Sequence, residues 1–271
     1  MLAYPKTKGS RRESNVSGRP TTTWGTVLTS DGVAHTEPAT ETQLIAATSF
    51  DSYWVNLIFH TNFVTATVTD SLVSIKVGSA GNEVTVMENL LAGWVDNFTG
   101  TTRRYGFPLR IPEGSRISAT HRSVRTAVGV TCIIELIGGG AAPHWTGTKV
   151  ESVGALTASS RGTQITPGTT SDGTFTNLAT NVGEFGFVLP QVGGNTDVSE
   201  VGGLYTCDIG ANGVLLPGLE DFIFGANATE YWYPVNANGR FYYLPAGTDI
   251  EARLQASGTA EAKSVVLYGV S

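Results

Sequence analysis

Apolar and polar positions alternate along most of this chain in short runs, interrupted at roughly 8–12-residue intervals by Gly, Pro, Asn or Asp. Ile117 and Ala119 fall on one side of such a run, and Arg116, Ser118 and Thr120 on the other. Ile250 and Ala252 stand in the same way against Asp249, Glu251 and Arg253. The alternation predicts strands at 22–29, 43–49, 53–60, 63–68, 72–78, 105–111 and 115–121, then at 145–152, 163–166, 174–178, 183–189, 204–209, 240–244 and 249–255. Two nearly unbroken apolar runs, 130–137 and 264–270, predict strands buried on both faces. Val86–Leu91 and Pro217–Phe222 have room for one helical turn each and no more.

The pattern repeats. Ile111-Pro-Glu-Gly-Ser-Arg-Ile-Ser-Ala119 reads against Leu244-Pro-Ala-Gly-Thr-Asp-Ile-Glu-Ala252 at an offset of 133 residues, without a gap, to Ser271. In both copies a Pro that cannot donate to a ladder ends one strand. Gly114 and Gly247 then occupy a turn position suited to positive φ. Weaker matches lie upstream in the same order: Ile75–Gly78 with Cys207–Gly210, Tyr53–Phe59 with Gly183–Leu189, and Trp24 with Trp145. The fold expected is all-β: two tandem jelly-roll-like β-sandwich domains from an internal duplication, preceded by an extended N-terminal arm. The arm is residues 1–21 and the first sandwich 22–138. A Gly/Ala/Pro linker follows at 139–144, and the second sandwich is 145–271.

Charge sharpens this division. Residues 1–20 hold Lys6, Lys8, Arg11, Arg12 and Arg19 against Glu13 alone, while the other 251 residues carry 12 basic and 22 acidic side chains. The arm is therefore +4 and the body −10, within a net charge of −6. An acidic body argues against nucleic acid as a partner. The arm reads either as a solvated tail or as a segment that docks on an acidic partner surface such as a neighbouring copy, and the second reading is adopted. No apolar stretch approaches a membrane span, and no signal peptide is expected. Cys132 and Cys207 lie in strand-like runs and read as buried free thiols in a reducing compartment.

A search for chemistry returns little. His35, His60, His121 and His144 are scattered without ligand spacing, so no metal or cofactor is expected. There is no G-x-S-x-G and no P-loop. Glu220-Asp221 and the Asp249/Glu251 pair are the only carboxylates weighed for glycosidase-type chemistry; solvated acids are the commoner case, and no catalytic residue is assigned. The densest functional-looking stretch is 231–243, with Tyr231, Trp232, Tyr233, Phe241, Tyr242 and Tyr243. Alternate aromatics there either fill the core or form a subunit or glycan contact, for which Tyr231, Trp232, Tyr233 and Tyr242 are the candidates. Aromatics in the corresponding stretch of the first copy (Trp94, Phe98, Tyr105 and Phe107) favour the scaffold reading.

An aromatic strand, then Ile/Leu-Pro-x-Gly-x-x-Ile-x-Ala, then an apolar closing strand resembles modules of jelly-roll structural proteins of tailed bacteriophage virions, of the decoration and tail-surface kinds. The resemblance covers about residues 22–271 on a short motif. It implies a non-enzymatic virion part, most simply a capsid decoration or cement protein assembled in the host cytoplasm. Its implied partners are the major capsid protein and copies of itself as a homo-oligomer, with neither nucleic acid nor membrane. A receptor- or glycan-binding tail or adaptor protein and a small double-jelly-roll major capsid protein are the alternatives.

Overall fold

A computed structural model describes residues 10–16, 25–61, 71–93, 101–140, 143–154, 156–157, 160–193, 203–226, 235–236, 239–258 and 261–271. All of the regular structure among them is β. The chain divides into two compact units, Met1–Glu151 with Val270–Ser271, and Ser152–Gly269.

In the first unit the strands are β1 (Arg11–Ser14), β2 (Thr26–Thr29), β3 (Thr42–Ile45), β4 (Ser52–Thr61) and β5 (Ser71–Gly78). They continue with β6 (Val84–Gly93), β7 (Thr101–Phe107), β8 (Arg116–Ser123), β9 (Gly129–Gly138) and β10 (Val150–Val153), whose Val150 pairs with Met87 of β6. One sheet runs β2–β9–β4–β7 and the other β3–β8–β5–β6. From β2 to β9 the chain passes from sheet to sheet except at the β5–β6 hairpin, which is the arrangement of a jelly roll. Phe59, Tyr105, Phe107, Val130, Cys132 and Ile134 from one sheet are buried, as are Val73, Ile75, Met87, Ile117 and Ala119 from the other.

The second unit holds the hairpin β11 (Leu156–Thr157) and β12 (Ser160–Arg161), then β13 (Thr163–Ile165), β14 (Thr176–Val182), β15 (Phe185–Gly193) and β16 (Gly203–Ala211). After these come β17 (Val214–Leu215), β18 (Phe222–Ala226), β19 (Val235–Asn236), β20 (Arg240–Leu244), β21 (Thr248–Ala256) and β22 (Lys263–Val270). Its sheets run β13–β22–β15–β20 and β14–β21–β16, the last with β17 and β18 on its far edge. Strand for strand this is the order of the first unit. The all-β, sandwich-type fold expected from alternation is thus the fold observed, and the 133-residue repeat falls on equivalent strands.

The repeated turn is the best-matched detail. Gly114 has φ +78° and Gly247 φ +82°. Gly114 N–H donates to the Thr48 carbonyl at 2.8 Å, and Gly247 N–H to the Val182 carbonyl at 2.9 Å. Each amide thus ties the β7–β8 or β20–β21 corner to the segment that follows β3 or includes the end of β14. Upstream, the register corrects the alignment. Ile75 sits opposite Ala119 and Ile209 opposite Ala252, so Ile209 matches Ile75 and not Val77. The two-residue slip arises because the hairpins differ in length. Ala211 and Val214 close on the two-residue Asn212-Gly213 turn, both residues at positive φ, whereas Val77 and Val84 flank a longer loop.

Other expectations need correction. Val86–Leu91 is not a helical turn but part of β6, bent by Asn89 at φ 54°, whose side chain accepts from Arg122. Pro217–Phe222 is a turn that enters β18. The strand expected at 145–152 begins only at Val150, since Gly147 is pressed against Val270 and the Ser271 backbone. Strand 63–68 and Trp24 lie outside the described residues. Ser118 and Thr120 point away from the core as expected, yet both are buried, because Glu41 and Glu37 accept hydrogen bonds from their hydroxyls at 2.7 and 2.8 Å. The same two carboxylates pair with Lys76. The partners raise the Lys76 pKa.

His121 is fully buried between Leu28 and Ser71. A carbonyl only accepts, so Nδ1–H donates to the Leu28 oxygen at 3.1 Å and Nε2 accepts from the Ser71 hydroxyl at 3.0 Å. Burial lowers its pKa to about 4.

Two outcomes follow for stability. An added Cβ meets nothing within 4 Å at Gly114 or Gly247, so Gly114→Ala and Gly247→Ala should each cost only the left-handed backbone penalty, about 1 kcal/mol. Urea denaturation measures both; a neutral effect at one site alone would break the equivalence of the turns. For His121, the unfolded imidazole takes up its proton near pH 6.5 and the folded one only near pH 4. Its contribution is therefore complete above pH 6.5 and is lost as pH falls toward 4, by about 3 kcal/mol at most. The His121→Gln protein should lack that part of the slope in urea midpoints taken across this range.

Candidate functional site

The arm meets the first unit at the free edge of β9. Both β1 and β2 lie along that edge, antiparallel to it: Arg11–Ser14 face Gly138–Glu135, and Thr26–Thr29 face Cys132–Gly129. Neither strand covers Ile133 and Ile134. Asn15 fills the gap with its side chain. Its Oδ1 accepts from Ile134 N–H at 3.0 Å, and its Nδ2 donates to the Cys132 carbonyl at 2.9 Å and to Thr26 Oγ1 at 3.1 Å. Asn15 N–H donates to the Ile134 carbonyl at 3.4 Å, and its primary amide, with the same donor and acceptor as a peptide group, carries the ladder on past the end of β1.

The arm's charges are placed beside it. Arg12 pairs with Glu135, which also accepts from Asn56 Nδ2 at 2.8 Å. Asn56 in turn accepts from Trp54 Nε1 at 2.8 Å, so the ion pair ends a chain of hydrogen bonds across β9 and β4. Glu13 accepts from both the backbone N–H and the hydroxyl of Ser49, each at 2.9 Å. The aliphatic stem of Arg11 lies over Gly139, where a Cβ would come within 3.0–3.3 Å of it. Of the basic residues singled out from sequence, Arg11 and Arg12 are therefore brought together on one strand; Lys6, Lys8 and Arg19 lie outside the described residues. The positive charge drew attention to this segment, while Asn15, its most specifically bound residue, carried no sequence signal.

The aromatic candidates divide differently. Tyr231, Trp232 and Tyr233 lie outside the described residues. On the edge strand β20, Phe241 and Tyr243 are 61% and 65% exposed, and Tyr242 is half-buried. Phe241 meets the buried Phe187 edge-on at 5.3 Å between centroids. In the first unit Tyr105 and Phe107 are instead fully buried and stacked 5.9 Å apart, with the Tyr105 hydroxyl donating to the Leu91 carbonyl at 2.6 Å. The parallel between the two aromatic stretches fails at these positions. The first supplies core, and the second presents rings at a sheet edge.

The carboxylates weighed for catalysis are engaged elsewhere. Asp249 accepts from Asn181 N–H at 3.0 Å and Glu251 from Gly213 N–H at 2.8 Å, so both close turns. Glu220 and Asp221 are exposed, and Asp221 N–H donates to Asp208 Oδ1 at 2.7 Å. Asp208, 5% exposed, pairs with Arg253, which also pairs with Asp172 and lies 4.9 Å from the centre of the Phe175 ring. Among the described residues no three His, Cys, Asp or Glu side chains gather as metal ligands. Cys132 and Cys207 are buried free thiols, with burial pushing each well above its ordinary pKa.

No family model and no curated protein matches the chain. Among solved structures it is similar to PNGase F, a glycosylasparaginase from Flavobacterium meningosepticum, at 9% identity and a TM-score of 0.38 over 97% of this chain and 96% of that one. It is also similar to PNGF-II at 10% identity and a TM-score of 0.35, over 90% of this chain and 65% of that one. The tandem CBM22-1–CBM22-2 domains of Paenibacillus barcinonensis Xyn10C align at 11% identity and a TM-score of 0.30, over 98% of this chain and 100% of theirs. At these values no residue and no activity carries over to this chain.

Replacing Asn15 by Ala leaves a buried peptide N–H and carbonyl on β9 without their partner, at a cost of about 1–3 kcal/mol. Amide hydrogen exchange should speed up at Ile134 and along β1 while β4 and β8 are unchanged. Unaltered exchange at Ile134 would mean that Asn15 does not hold the arm.

Proposed function

We propose that the chain is a non-enzymatic structural protein of a virus particle, a decoration or cement protein on the head of a tailed bacteriophage. The observation that carries the reading is the docking of Arg11–Ser14, in register, on β9, from a segment of net charge +4 in a chain whose remaining residues carry −10. Jelly rolls serve as capsid and as lectin domains, so the fold alone leaves both open. A polar strand that adds to a sheet edge suits a part that ties subunits or layers together. Two rolls of one strand order in a single chain also suit a subunit that contacts two similar but inequivalent neighbours. Assembly in the host cytoplasm, with the major capsid protein and copies of the chain itself as partners, belongs to the same proposal.

A second reading has its own observation. Phe241 and Tyr243 are exposed on β20, as a glycan contact of a tail or adaptor protein would require. A small major capsid protein is the third form of the proposal, distinguished by copy number alone.

Antibody against the chain should label the heads of particles recovered from cells that produce it, at a copy number equal to or below that of the shell protein. Removal of residues 1–20 should abolish attachment and leave the circular dichroism spectrum of the body intact. Attachment undiminished by the truncation would sink the decoration reading. Glycan-array binding lost on Phe241→Ala or Tyr243→Ala would replace it with the second.

A further inference from the structure

β1 sits on the edge of β9 as a separable strand. β1 is Arg-Arg-Glu-Ser, so it contributes no apolar side chain to the core. The two sheets of the first roll are otherwise formed by β2 to β9. What holds it is a set of polar contacts with β9, Ser49 and Thr26: the ladder itself, the Arg12–Glu135 pair, the Glu13–Ser49 bonds and the Asn15 amide. Each of these can be re-formed without change by the arm of another copy.

The connection permits it. Ten residues, 16–25, join Asn15 to Thr26, and these two side chains lie 3.1 Å apart. Extended, ten residues span about 35 Å. The chain thus returns to its starting point along a segment long enough to cross to a neighbouring body. Charge favours the crossing, because a +4 arm is attracted to every −10 body it meets.

We infer that β1 is exchanged between copies of this chain, the arm of one adding to β9 of the next with Asn15 in the gap at Ile133–Ile134. The exchange converts a contact within one subunit into a bond between two, at no cost in contacts and little in loop entropy. It rests on the reading of the protein as an assembling structural part, and it specifies the partner as a second copy and the seat as the β9 edge.

Ser14 and Glu135 face each other in the β1–β9 register, close enough for a disulfide if both become cysteine. Cys132 and Cys207 are buried and do not compete. Full-length chains carrying Ser14→Cys or Glu135→Cys, differently tagged and co-expressed, should yield a disulfide-linked pair of unlike tags. In one chain, the two substitutions together should give linked multimers. A double variant that links only within itself, or no linkage in either case, overturns the exchange.

Charge reversal gives a second measurement that does not depend on cysteine chemistry. Arg12→Glu and Glu135→Arg should each lower the native mass of the assembly, and mixing the two variants should restore it, because opposite charges then meet only across chains. No recovery on mixing, with each variant folded by circular dichroism, overturns the exchange. A wild-type oligomer without cross-chain links would sink the exchange and keep the assembly reading; a wild-type monomer would sink both.

Discussion

The backbone of β9 has to be satisfied along both edges, and much of the first unit is arranged around that need. On one side β4 pairs with it from Ser52 to Thr61. On the other side two short strands share the work, and a side-chain amide closes the interval between them. A buried peptide group without a partner costs more than most surface contacts return, which is why a terminal segment of Arg, Glu, Ser and Asn is ordered there. The side chains then follow the ladder: Arg12 reaches Glu135, and Glu135 is held by Asn56 and Trp54.

The same economy is visible in the second unit, with different residues in the parts. The hairpin amide of Gly81 is satisfied by Glu83, from the same loop just before β6, and that of Gly213 by Glu251 of β21. Lys76 is paired by two carboxylates in one roll, while in the other Asp208 is paired by an arginine that also serves Asp172. The two charges do not stand at equivalent positions, since Asp208 answers to Ser74, yet each is paired. Buried or half-buried charges survive in a sheet only where a partner lies within reach.

Much of the fold was legible because period-two alternation is a direct image of a sheet with one buried face. Ile117, Ala119, Ile250 and Ala252 are buried as the pattern required, and the Pro-x-Gly corners have the backbone their composition implied. β6 was not legible. Its bulge at Asn89 breaks the alternation, and Met87-Glu-Asn-Leu reads as well for a turn of helix as for a strand. The edge strand β18 escaped for a related reason, being short and adjacent to a Gly-rich turn. At the candidate site net charge pointed to the arm, but a ladder completed by one asparagine depends on residues 117 and 119 positions away, which no local pattern encodes. The aromatic run was visible as composition, but which rings face outward on β20 depended on a bulge between Phe185 and Phe187.

Two similar rolls in one chain could trade strands while folding, since β9 and β22 hold the same place in the strand order. Their cores are nevertheless marked. Val130 is fully buried in β9, and the equivalent residue of β22 is Lys263, equally buried, held 2.9 Å from Glu261 and 5.1 Å from the Tyr205 ring. His121 of β8 likewise answers to Leu254 of β21. A hybrid with β22 in the place of β9 would carry an ammonium into the first core, away from Tyr205, at several kcal/mol. The mismatched polar residues thus act as an address, written inside the hydrophobic core, that tells each strand during folding which of the two rolls it belongs to.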